Sequence, residues 1–74
     1  MKSRLVAIIK RLEAMVESED GVQTRRFESD GDLKAEVGFN AEDQIFTLTE
    51  TATGFVSSFD DIDIVAMEIY DLLF

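Results

Sequence analysis

The dipeptide Asp30-Gly31 stands between two runs of alternating polar and apolar residues and constrains the fold more than any other pair. A type I′ turn needs positive φ at both central positions, and Asp-Gly supplies it, so the flanking runs should pair as an antiparallel hairpin. Counting outward sets Ser29 opposite Asp32, Thr24 opposite Val37 and Val22 opposite Phe39. It also makes Arg25 and Glu36 an opposite-charge cross-strand pair. A four-residue loop at Asn40–Asp43 sets Val37 against Phe46 and Ala35 against Leu48, and another at Thr51–Gly54 sets Phe46 against Phe59 and Leu48 against Ser57. The three turns agree on one inward face, made of Val22, Leu33, Ala35, Val37, Phe39, Phe46, Leu48, Phe55 and Phe59. Lys34, Glu36, Thr47, Thr49 and Ser58 point outward. A one-residue slip in any hairpin would scramble that division, so the pattern predicts a four-stranded antiparallel meander across residues 22–59. Its edges are strand one (Val22–Glu28) and strand four (Phe55–Phe59).

On either side the apolar period changes from two to that of a helix. Leu5, Ile8, Ile9, Leu12, Met15 and Val16 form one stripe in residues 3–18, with Ser3 as N-cap and Gly21 as the stop. Residues 60–74 form a second helix entered at Asp60 or Asp61, with Ile62, Val65, Ala66, Ile69, Leu72 and Leu73 on its inner face. Asp63 adds negative charge where the helix dipole favours it. The expected fold is a single α+β domain over residues 1–74: a two-layer sandwich of helix, four-stranded antiparallel meander and helix, with both helices on one face of the sheet.

The chain has 74 residues and neither Cys nor His. A domain this small is near the lower limit for a self-sufficient core, and disulfides, thiolate or imidazole zinc sites and Ser–His or Cys chemistry are all excluded. Good local patterning and oligomerisation remain as supports. No secretory leader is discernible after Met1, and no apolar run approaches the ~20 residues needed to cross a bilayer. A soluble cytoplasmic protein is expected.

Charge is divided unevenly. All seven Lys and Arg lie at or before Lys34, while nine carboxylates follow it, and the net charge is −9. Nucleic acid and anionic membrane surfaces are therefore disfavoured as partners. The densest acidic cluster is Asp60-Asp61-Ile62-Asp63. It lacks the alternating ligands, mid-loop Gly and closing Glu of an EF-hand, and helix capping accounts for it without a cation. Asp30-Gly31-Asp32 is a turn with no further ligands after it. No phosphate loop, nucleophile elbow or dinucleotide fingerprint is present. The chain is read as no enzyme, with no cofactor and no metal site.

Two surfaces carry functional interest. The second helix is apolar over more than one stripe, because Ile64, Met67, Tyr70 and Phe74 lie outside its inner face. They either pack beside the first helix or form a subunit interface, with Phe74 docked at the terminus. On the outer sheet face, Phe27, Ile45 and Val56 stand among Thr and Ser. They are either scattered singly or form a contiguous patch. Ile64, Met67, Tyr70, Phe74 and Phe27 are accordingly the candidate interface residues.

The closing segment, Phe59-Asp60-Asp61-Ile62-Asp63 with Val65 and Glu68-Ile69-Tyr70-Asp71-Leu72-Leu73, resembles that of the YkuJ-like family of small uncharacterised bacterial proteins. Arg11-Leu12-Glu13 and Arg26-Phe27-Glu28 resemble its pattern as well. The resemblance implies a central antiparallel sheet flanked by helices and brings no activity, cofactor or catalytic residue. The expected function is self-association, with a homodimer favoured, and action through protein contacts. Binding of a small ligand or divalent cation by the acidic second half is the alternative.

Overall fold

The computed structural model of the chain describes residues 3–18 and 22–74, with Val22 and Gln23 described by backbone alone. Six elements follow in order: α1 (Arg4–Glu17), β1 (Val22–Ser29), β2 (Asp32–Asn40), β3 (Ile45–Glu50), β4 (Val56–Phe59) and α2 (Ile62–Leu73). The strands form one antiparallel sheet in the order β1-β2-β3-β4, so β1 and β4 are its edges. Both helices cover one face. Ile8, Leu12 and Met15 of α1 and Val65, Ala66 and Ile69 of α2 meet Phe27, Ala35, Val37, Phe39, Phe46 and Leu48 of the sheet in a single core. That core is wholly apolar among the described residues. The Cα atoms span 19 Å in the thinnest direction, room for one sheet and one layer of helices.

The helix ends follow capping chemistry. Ser3 Oγ accepts from the Val6 N–H at 3.2 Å, and the Asp61 side chain accepts from the Asp63 N–H at 2.8 Å. Asp61 is therefore the cap of α2, and Asp60 stands outside the helix. Replacing Asp61 by Ala should lower stability by about 1 kcal/mol, read as a drop of several degrees in a thermal melt. The equivalent change at Asp60 should leave the melt unmoved. The expected stop of α1 at Gly21 lies outside the described residues.

Asp30 and Gly31 have φ of 55° and 82°, as the expected turn requires, and Ser29 pairs with Asp32. The ladder then departs from the regular count. Glu28 pairs with Leu33 but Phe27 pairs with Ala35, so β2 carries one extra residue at a β-bulge. Every pair beyond it moves by one: Arg26 meets Glu36, Arg25 meets Val37, Thr24 meets Gly38 and Val22 meets Asn40. Phe27, expected on the outer face and in the candidate interface, is instead 1% exposed and belongs to the core. The ion pair to Glu36 is made by Arg26 at 3.5 Å, not by Arg25. The physical reason is burial. Without the bulge, the inward positions of β1 after Val22 would be Thr24, Arg26 and Glu28, three polar groups facing an apolar core. The expected inward orientation of Val22 falls on a side chain outside the description.

The second hairpin is displaced by two residues. Its loop is 41–44, closed by Gln44 N–H to Asn40 carbonyl at 2.7 Å and by Glu42 N–H to Asn40 Oδ1 at 2.9 Å. This side-chain turn keeps Asn40 in β2, so Phe39 rather than Val37 faces Phe46, and Val37 rather than Ala35 faces Leu48. An even shift preserves the faces, so Ala35, Val37, Phe39, Phe46 and Leu48 still lie inward, whereas Leu33, beside the bulge, is only half-buried. The third hairpin keeps the expected register, with Phe46 opposite Phe59 and Leu48 opposite Ser57. Phe55 departs from expectation: β4 begins only at Val56, and the Phe55 ring is 66% exposed.

Candidate interaction surface

The face of α2 turned away from the core carries Ile64, Met67, Tyr70 and Phe74, at steps of three, three and four residues, which keeps them on one side of the helix. They are 47%, 56%, 37% and 57% exposed. The opposite side of the same helix supplies Val65, Ala66 and Ile69 to the core. Within one copy all four side chains are exposed, and Phe74 also meets the start of α1.

The C-terminal end of the stripe is organised. The rings of Tyr70 and Phe74 sit 5.2 Å apart, and the Arg4 guanidinium lies over the Phe74 ring at 4.5 Å. Phe74 N–H donates to the Tyr70 carbonyl at 2.9 Å, so the last residue is held to the last turn of α2. Arg4 begins α1, and its contact with Phe74 sets the start of α1 beside the end of α2. Nothing in the sequence pairs Arg4 with Phe74. A cation and an aromatic ring seventy residues apart leave no local signal.

At the other end of the molecule, Glu13, Glu17 and Asp60 rim a cleft of about 320 Å³ whose apolar walls include Val16, Phe39 and Ile62. Asp61 and Asp63 lie nearby on α2, and Glu42 and Asp43 lie in the β2–β3 loop. The fold thus gathers much of the negative charge at one pole. Among the described residues, no group of three or more carboxylates converges closely enough to hold a metal ion.

Among the described residues the outer sheet face offers no comparable stripe. With Phe27 in the core, the outward positions hold Arg26, Glu36, Thr47, Thr49 and Ser58, with Val56 exposed and Ile45 half-buried. No helix among the described residues is long and apolar enough to cross a membrane.

Comparison with known proteins agrees with this architecture. No curated protein matches the chain. Among solved structures, it is similar to the X-ray structure of the YkuJ protein from Bacillus subtilis. The two share 34% identity and a TM-score of 0.89, over 96% of this chain and 98% of that one. Residues 8–73 match a family described as protein of unknown function, DUF1797. With fold, length and sequence all in agreement, the chain belongs to this YkuJ-like family of unknown function.

Proposed function

We propose that the protein is a non-catalytic, self-associating module of the cytoplasm. In this reading it is a homodimer joined through the outer stripe of α2 and acts through protein contacts. The observation that carries this reading is the set of Ile64, Met67, Tyr70 and Phe74, exposed together on a helix whose other side already closes the core. A domain of this size buries only about 60% of the surface its unfolded chain exposes, so covering the stripe adds stability that its core alone supplies sparingly. Apolar burial contributes about 25 cal/mol per Å². A second copy is the occupant that needs no other gene product, and two-fold pairing is the commonest closed solution.

Charge opposes the association, since each copy carries −9. The repulsion is long-ranged and screened by salt, while the apolar contact is not, so added salt should tighten the dimer. Sedimentation at about 10–100 μM should give twice the 8.3 kDa chain mass, with dissociation weaker at about 0.5 M than at about 0.05 M NaCl. A species of 8.3 kDa across that whole range would exclude the reading.

A further inference from the structure

We infer that the dimer is two-fold symmetric with its α2 helices antiparallel, each Arg4 set against the acidic start of the other copy's α2. This rests on the self-association reading and adds its geometry and its counter-charge. The stripe has unlike ends. At its C-terminal end the Arg4 guanidinium lies over Phe74. Among the described residues the ion pair is Arg26–Glu36, and Arg4 makes none there. At the N-terminal end stand Asp60, Asp61 and Asp63, all exposed.

Asp63 and Phe74 are eleven residues apart in sequence, close to three turns, so they share one side of α2 about 16 Å apart along its axis. Arg4, stacked on Phe74, therefore sits on the Asp63 side. Laying a second α2 antiparallel, about an axis crossing the helix near Ile69, puts Ile64 opposite Phe74 and Met67 opposite Asp71 of the other copy. The same operation brings each Arg4 to the other copy's Asp63, making two such contacts per dimer. A parallel arrangement would instead oppose Arg4 with Arg4, Asp63 with Asp63 and Asp71 with Asp71. Juxtaposed like charges select against it.

Because the chain has no Cys, single engineered cysteines report the arrangement without background. Equal amounts of Ile64→Cys and Phe74→Cys chains, mixed and mildly oxidised, should give mainly the mixed disulfide, since bridging needs Cα atoms within about 7 Å. Independently, Arg4→Glu and Asp63→Arg should each weaken the dimer by about tenfold, and the double variant should recover most of that loss. A sample that sediments as a dimer yet gives only Ile64→Cys homodisulfides, or whose charge variants simply add, would overturn the antiparallel arrangement and leave self-association standing. Monomers in every variant and in the native chain would overturn both.

Discussion

Phe27→Ala should cost about 3–5 kcal/mol of stability, the usual loss for emptying a buried aromatic site. The domain as a whole is expected to have only about 4–11 kcal/mol, from ~0.05–0.15 kcal/mol per residue. Each kcal/mol moves the midpoint of so small a domain by about 4–8 °C. The melt should therefore fall by tens of degrees, or the cooperative transition should vanish. The ring is enclosed by more than aliphatic neighbours. The Arg11 guanidinium lies 4.4 Å over it and also donates to the Arg26 carbonyl at 3.1 Å. Val56→Ala on the outer sheet face serves as the control and should change stability by roughly 0.5 kcal/mol or less. If the two variants melt alike, the bulge between Phe27 and Glu28 is misplaced and the regular ladder is correct.

Met67→Asp should weaken the dimer by at least about 100-fold, or roughly 2.8 kcal/mol at 1.4 kcal/mol per decade. Two-fold symmetry places the new carboxylate on both sides of the contact, where each must be desolvated with no cation near it. Within one copy Met67 is 56% exposed and turned from the core, so the monomer should lose little stability. Circular dichroism can confirm that the fold survives. Tyr70→Asp and Phe74→Asp should act in the same direction, the second also removing the ring beneath Arg4. A dimer that withstands all three would be joined through a sheet edge instead.

Much of this architecture is legible in the sequence because local chemistry and global packing agree along most of it. The helix periods place Ile8, Leu12 and Met15, and Val65, Ala66 and Ile69, at the core. The Asp30-Gly31 turn and the loop before β4 set two hairpins through φ preferences that need no tertiary partner. The first hairpin fails beyond its turn because regular counting assumes no bulge. The warning was a polar inward set on β1, Thr24, Arg26 and Glu28, which one extra residue on β2 exchanges for Phe27, paired with Ala35, and Arg25, paired with Val37. The Asn40 side-chain turn is equally local, but two loop frames fit the same apolar alternation, and a shift of two leaves the pattern unaltered. Of the five residues chosen as an interface, the four on α2 followed from a helix too apolar for one contact, and they do stand exposed. Phe27 was placed by the register that failed. The long-range pairing of Arg4 with Phe74 required the fold itself.

The contact of Arg11 with the Arg26 carbonyl also bears on how the protein behaves when concentrated. Unpaired carbonyls along an edge strand are templates on which another strand can add, one chain after the next. On β1 that row is interrupted by the Arg11 guanidinium seated on the Arg26 carbonyl. On the opposite rim β4 offers only the four residues Val56–Phe59, too little to seed a long ladder. Growth by strand addition is thus blocked on both sides of the sheet, and crowding should drive these chains toward closed, countable particles and away from fibrils.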